Sequence, residues 1–253
     1  MPALRVVSYN VHRAIGRDRR TAPQRILDVL REIDADIVAL QEVEARDGGA
    51  DMLAWLGEQT GFAAIPGTTL VRHDGHYGNG ILTRYPVASI AHCDLSWRGR
   101  EPRAAIAADL RLNGEILRFV ATHLGLRPAE RRDQVTRLLK LFTDRPYGKA
   151  ILVGDLNEWF LWGRPLRRLH RYFESTPAVA SFPSGMPFLA LDRIWTHPRS
   201  MLRSLTVHRT PLARVASDHL PLVATLEVGA SAAQAHRKHG AHAGAERAHA
   251  NGG

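Results

Sequence analysis

Eight polar residues stand out because each ends or interrupts an apolar run: Asn10, Glu42, His123, Asp155, Asn157, Asp192, Asp218 and His219. Carboxylates, amides and imidazoles are the side chains that hold hard cations, orient water and move protons. Gly154-Asp155-Leu156-Asn157 directly follows Ile151 to Val153. In extended chain, residues two apart face one side, so Asp155 and Asn157 would aim a carboxylate and an amide at one point, enough to hold a water or a metal. An Asx-turn or a helix N-cap would use the same two residues structurally.

Ser217-Asp218-His219 sets an imidazole beside a carboxylate, but adjacent residues of an extended segment point opposite ways, so the two would serve different partners. His219 gains chemical meaning if a second carboxylate orients it. Asp192, between Leu191 and Ile194 in an otherwise apolar strand, is placed to do so, because a strand Asp costs stability unless paired. A salt bridge from Asp192 to Arg193 or Arg103 is the structural alternative. Glu42 follows Ile37 to Gln41, where open sheets present ligands, and its hard oxygens favour Mg²⁺ or Mn²⁺ over zinc. His123 follows an apolar run and, taken alone, fits a packed, hydrogen-bonded histidine as well as a catalyst. The joint recurrence at strand ends is more informative than any one residue.

Other catalytic patterns are missing from the chain. It has no Gly-x-Ser-x-Gly elbow, no P-loop, no His-Glu-x-x-His, no Cys-x-x-Cys and no dinucleotide glycine fingerprint. Serine hydrolase, NTPase and zinc-protease chemistry therefore have no residues to rest on.

The elements that must carry these groups follow from apolar periodicity. Strands are expected at Leu4 to Tyr9, Ile37 to Leu40, Ile116 to Thr122, Ala150 to Val153 and Leu202 to His208. A first helix is expected at Pro23 to Ile33, with Thr21 as N-cap, Pro23 in the first turn and Gln24 completing a capping box. A second spans Asp51 to Gln59 before Gly61, and a third runs from Pro128 to about Phe142. Ala104 to Leu112 and Glu115 to Thr122 flank Asn113-Gly114, a strong hairpin signal, so antiparallel pairing is expected beside the strand-helix alternation. Mixed sheets covered by helices satisfy both patterns.

Length, 253 residues with 45% hydrophobic content, suits one catalytic domain over 1–228. Residues 229–253 hold Ala, Gly and four His but no larger aliphatic residue, and are expected to form a disordered tail. The formal charge of +9 is carried almost wholly by arginine, since only Lys140, Lys149 and Lys238 are lysines. Guanidinium suits phosphate, although a compositional bias of the genome would give the same count. A lone Cys93 makes no intramolecular disulfide. No signal-peptide pattern or run of roughly 20 apolar residues is present. The expectation is a cytoplasmic protein, with peripheral membrane contact left open.

The strings Ser8-Tyr9-Asn10-Val11-His12, Gln41-Glu42-Val43, Tyr77 to Pro86 (YGNGILTRYP), Thr122-His123-Leu124, Gly154-Asp155-Leu156-Asn157, Leu191-Asp192-Arg193-Ile194 and Ser217 to Pro221 occur in order. As an ordered set over residues 4 to 228 they resemble the endonuclease/exonuclease/phosphatase superfamily. That resemblance implies an α/β four-layer sandwich, with two mixed β-sheets packed face to face and flanked by helices. It implies hydrolysis of phosphate esters with Mg²⁺, Mn²⁺ being the alternative. By resemblance Glu42 is the principal metal ligand, with Asn10 and Asp218 nearby. Asp155 orients or deprotonates water, and Asn157 holds metal or phosphate. His219, kept in place by Asp192, contacts phosphate or acts as base, and His123 stabilises charge or protonates the leaving oxygen. Asn79 and Arg103 are taken as substrate contacts. The chain departs from the abasic-endonuclease branch, where a lysine typically follows the metal-binding glutamate by two residues and Glu44 stands here; it is closer to compact bacterial members with a Ser181-Phe182-Pro183 pattern.

The expected activity is that of a phosphodiesterase of endonuclease-like type, with nucleic acid or a phospholipid head group as the phosphate-ester substrate. The alternatives are a sphingomyelinase-like enzyme acting on phospholipid head groups and a non-catalytic anion-binding protein. Arg17, Arg19, Arg20, Arg100 and Arg103 would suit a nucleic-acid backbone, but a solvated surface accounts for them slightly better. Trp159, Phe160 and Trp162 read first as helix-packing core, and second as an aromatic surface for a base or a lipid head-group region.

Overall fold

The computed structural model describes residues 3–46, 51–72, 75–144 and 147–228; the expected tail at 229–253 lies outside them. Eleven strands form two sheets among the described residues. The first sheet has the order β10 (Leu202–Val207), β11 (Leu222–Glu227), β1 (Ala3–Asn10), β2 (Ile37–Arg46), β4 (Gly75–Thr83) and β3 (Ala63–Arg72). The second has the order β5 (Val87–Asp94), β6 (Ala104–Leu112), β7 (Glu115–His123), β8 (Lys149–Asp155) and β9 (Asp192–His197).

Each sheet contains one parallel pair, β1 with β2 and β7 with β8, and is otherwise antiparallel. A parallel pair needs a crossover, supplied by α1 (Pro23–Ile33) in the first sheet and α3 (Pro128–Thr143) in the second. The strands of these pairs are apolar on both faces because both are covered. Val6, Ile37, Ala39, Phe119, Ala121, Ile151 and Val153 meet between the sheets. Their neighbours Val7, Val38 and Leu40 pack under α1, α2 (Met52–Thr60) and α5 (Ala213–Ala216), while Val120 and Leu152 pack under α3 and α4 (Arg164–Phe173). Four layers result, and the expected sandwich of two mixed sheets is borne out. Each fully buried large apolar side chain contributes on the order of 1.5–3 kcal/mol.

Local signals behaved unevenly. Asn113 and Gly114 both take positive φ (50° and 82°), as the two-residue β6–β7 turn requires. Asp51 caps α2 by accepting from the amides of Leu53 and Ala54, and Gly61 ends that helix at φ 72°. The expected Thr21 cap is corrected: Ala22 precedes α1 without a side-chain cap, Thr21 bridges to Ile15, and Gln24 donates forward to Asp28. A proline at the first helical position tolerates this, since its missing N–H needs no partner.

One glycine is fixed by geometry. Gly154, at φ 149°, lies against Thr122 in the β7–β8 register, and a Cβ there would come within 1.9 Å of the Thr122 carbonyl oxygen. Gly154→Ala is expected to destabilise the fold by roughly 3 kcal/mol or more through clash and strain. A urea unfolding midpoint unchanged from wild type would contradict this.

Candidate active site

The carboxyl ends of both parallel pairs stop side by side. Asn10 pairs with Gln41 at the end of β1–β2, and His123 pairs with Asp155 at the end of β7–β8. Beyond Leu40 the β2–β4 ladder shifts register, so that Gln41 and Glu42 oppose the single residue Asn79. This bulge turns Glu42, at φ 59°, toward the interior end of the sandwich. A cavity of about 520 Å³ opens there, lined by Asn10, Glu42, Arg103, His123, Asp155, Asn157 and His219 among others.

Asp155 is 1% exposed and lies at the centre. Its Oδ2 accepts from Asn10 Nδ2 at 3.1 Å and faces His123 Nε2 at 3.6 Å and His219 Nε2 at 3.7 Å. Its Oδ1 accepts from the Asn157 backbone amide at 2.9 Å. That bond and φ 50° at Asn157 correct the extended reading of this segment: the strand stops at Asp155 and the chain turns. Asn157 still reaches the site, because its amide lies 3.1 Å from His123 Nε2 and donates to the Leu124 carbonyl at 2.9 Å. Burial raises the Asp155 carboxyl above its usual range, and the Asp192 charge adds to this.

Asp192 faces Asp155 in the β8–β9 register and is fully buried. Its Oδ2 accepts from His219 Nδ1 at 2.8 Å and from the Ser181 hydroxyl at 2.5 Å. The alternative partners are thereby set aside. Arg103 donates instead to His123 Nδ1 at 2.8 Å and to Glu101, and Arg193 Nε and Nη2 have no hydrogen-bond partner among the described residues. Burial alone would lower the His219 pKa, but the charge and hydrogen bond of Asp192, with Asp155 and Asp218, raise it to about 10. His219 is therefore an imidazolium at neutral pH. His123 goes the opposite way, held neutral by burial, by Arg103 and by His219. Because Arg103 donates into Nδ1, the ring proton belongs on Nε2, the nitrogen that faces Asp155.

Asp218 lies at the margin of this buried group, near enough for its charge to act on His219. Its side chain is 38% exposed and lies 3.8 Å from His12 Nδ1. Asn79 sits beneath the bulge, with its amide donating to the Ala104 carbonyl of the second sheet at 3.1 Å, so it is not part of the cavity wall, whereas Arg103 is. Several wall residues had no signal in the sequence: Arg13, Glu101 and Leu126, whereas Tyr77 lay within a recognised string. Ser181, which fixes Asp192, lay within a recognised string. The helix-packing reading of Trp159, Phe160 and Trp162 is overturned, since they are 62%, 57% and 68% exposed.

Strain gathers around the same place. His12, Arg13 and Ala14 in the turn after β1 have φ of 45°, 55° and 57°, joining Glu42 and Asn157 in the left-handed region. Such conformations persist only where the surroundings over-determine them, as at ligand-binding turns.

The donor set fits a hard divalent cation. Glu42 and Asp155, from different sheets, converge on one amide, with Asn10 Nδ2 at 3.0 Å from Glu42 Oε1. Asp155, Asp192 and His219 also bring ligating atoms within 4.8 Å of one another. In that second group the 2.8 Å bond between Asp192 and His219 already matches charge to charge, which leaves Glu42 with Asp155 as the carboxylates needing a cation.

Four layers with a strand-end cavity of carboxylates and imidazoles define an α/β sandwich protein built for polar chemistry. The chain belongs to the Endonuclease/Exonuclease/phosphatase family, whose model matches residues 7–219, and members of this family are in general hydrolytic phosphoesterases that use divalent metals. The uncharacterized Escherichia coli (strain K12) protein YbhP is 28% identical over 249 residues, covering 89% of this chain and 97% of its own. A family structure from Bacteroides vulgatus superposes with a TM-score of 0.74 at 18% identity, over 90% of this chain and 100% of that one. The Bacteroides thetaiotaomicron mannosyl-6-phosphatase Bt3783 gives 0.68 at 18% identity, over 89% and 100%. These last two establish likeness of fold.

The His219 assignment has a sign that can be checked. Its folded pKa, about 10, lies above the ordinary 6.5, so the stabilisation from its charged contacts is complete below 6.5 and is lost as pH rises through about 10. Asp192→Asn removes the main raising influence. In metal-free protein, nuclear magnetic resonance should show no His219 titration between about pH 5 and 8 in wild type and a titration inside that window in the variant. Identical titration curves would contradict the assignment.

Proposed function

We propose that the protein is a divalent-metal-dependent phosphodiesterase. The observation that carries this reading is the buried Asp155 carboxylate, held by Asn10 and faced by two imidazoles of opposite charge state at the floor of an open cavity. In this reading Glu42 and Asp155, helped by Asn10, Asn157 and Asp218, hold Mg²⁺ or Mn²⁺. The ion would supply positive charge to the phosphate oxygens and lower the cost of charge build-up.

The chain's own residues divide the remaining work. Asp155, with its pKa raised by burial, accepts the proton of the attacking water. The His219 imidazolium, oriented by Asp192 and Ser181, and the Arg103 guanidinium present charge to the phosphate oxygens. Neutral His123 offers its Nε2–H to an oxygen that becomes negative as the ester bond breaks, while Arg103 fixes its ring. Its two nitrogens are thus assigned without requiring a second imidazolium beside His219.

Purified protein should hydrolyse bis(p-nitrophenyl) phosphate with Mg²⁺ or Mn²⁺, faster than it hydrolyses p-nitrophenyl phosphate, and should stop on addition of EDTA. Asp155→Ala and His219→Ala are each expected to lower turnover by about 10²-fold or more while the fold is retained. Near-normal turnover by either variant would refute the assignment, and preference for the monoester would move the protein to the phosphatases.

A further inference from the structure

The loop after the Asp155–Asn157 turn carries an unusual surface. Trp159, Phe160, Leu161 and Trp162 are all more than half exposed, and Trp159 also lines the cavity. Across the mouth, Phe182 and Leu189 line the same cavity, while Met186 and Phe188 between them are 77% and 67% exposed. Leu126, 65% exposed, adds to the rim. A cluster of large apolar side chains held in water marks a contact surface.

The aromatic residues stand on a fixed base. Glu158, 4% exposed, pairs with buried Arg131 at 3.2 Å and accepts from the Phe160 amide at 3.2 Å. Arg131 also donates to the carbonyl of Leu126 at 2.7 Å, tying the two apolar segments together. Their presentation is built in by a buried ion pair.

Directly after the loop comes α4, which carries Arg164, Arg167, Arg168 and Arg171 and no acidic residue. With Arg132 and His170 these line a depression of about 670 Å³. Arg167 Nη1 donates to the Trp162 carbonyl at 3.0 Å, so basic helix and aromatic loop are joined. Arg132, Arg164 and Arg171 have no side-chain hydrogen bond or ion pair to other described residues.

We propose that loop 159–162 and helix α4 form a docking surface for an anionic phospholipid bilayer. The pairing of features selects the occupant: indole and phenyl rings settle at the head-group boundary, and clustered arginines are drawn to anionic head groups. Leu126, Leu161 and Met186 favour this over nucleic acid, because aliphatic and thioether groups enter hydrocarbon but cannot stack on bases as aromatic rings do. The attachment proposed is peripheral; no helix among the described residues is long and apolar enough to cross a membrane. Seated this way, the cavity mouth meets lipid phosphate groups; that consequence rests on the phosphodiesterase reading, whereas the docking does not.

The full chain should co-sediment with vesicles of equimolar phosphatidylglycerol and phosphatidylcholine and stay in solution with phosphatidylcholine alone. Phe160→Ser/Trp162→Ser and Arg167→Glu/Arg168→Glu are each expected to lower partitioning about tenfold or more. Both double variants should keep their thermal midpoint and their turnover of soluble bis(p-nitrophenyl) phosphate. The proposal is overturned if wild type fails to sediment, if the variants partition as wild type does, or if a single-stranded oligonucleotide binds more tightly than the vesicles and its binding is what the variants lose. Failure to hydrolyse the soluble diester would remove the phosphodiesterase reading and leave the partitioning result standing.

Discussion

A carboxylate with 1% of its surface exposed is costly unless its charge is met, and Asp155 sets that demand on the whole sandwich. No single element can meet it. The first sheet supplies the Asn10 amide from the end of β1, the second supplies His123 from β7, and the segment before β11 supplies His219. The sheets must therefore pack with the carboxyl ends of their parallel pairs abutting. Asn79, whose amide reaches from β4 to the Ala104 carbonyl at the start of β6, makes a second polar link across the same end. The apolar layer between the sheets gives most of the stability, but it is non-directional. Polar links at one end are what fix the relative placement of the sheets there.

A second buried carboxylate gives the site its charge order. Asp192 sits opposite Asp155 in register, and two like charges that close would repel. His219 resolves the conflict by bonding to one and facing the other. Once it is charged, a neighbouring imidazole has reason to remain neutral, and Arg103 enforces this at His123. Two histidines of the same type thus acquire different states from their partners alone.

Much of this was legible because β1, β2, β7 and β8 are buried on both faces, so their apolar runs are continuous and the change to Asn10, Glu42, His123 or Asp155 is abrupt. The outer strands gave weaker signals. Ala63–Arg72 contains Pro66 and Gly67, Gly75–Thr83 contains three glycines, and Val87–Asp94 is largely exposed at an edge, so none shows a clean period. In α4, Leu166, Leu169 and Phe173 do follow helical spacing, but the arginines between them obscured it. The Glu42 bulge was invisible for another reason: a left-handed residue that is not glycine is imposed by tertiary contacts, whereas the Asn157 turn matches the Asx-turn that Asp155 offered as the structural alternative. Composition was the least reliable guide. Arg25, Arg84, Arg118, Arg131 and Arg203 are engaged in ion pairs, so the basic total says little about free positive surface.

The candidate site and the outer surface are continuous in the chain, and that continuity is physical. From Asp155 to Gly163 the backbone passes from a buried carboxylate, through the Asn157 turn and the Glu158 ion pair, to the exposed aromatic loop. Each step is anchored by a different interaction: a backbone amide on Asp155, a side-chain amide on the Leu124 carbonyl, and a buried Arg131–Glu158 bond. Flexible binding loops usually hold few such bonds. Here the anchors tie the start of the rim to the floor, and Trp159 lines the same cavity as Asp155. The same anchors explain why the buried polar residues of the candidate site and the apolar residues of its rim can follow one another within nine positions without either losing its environment.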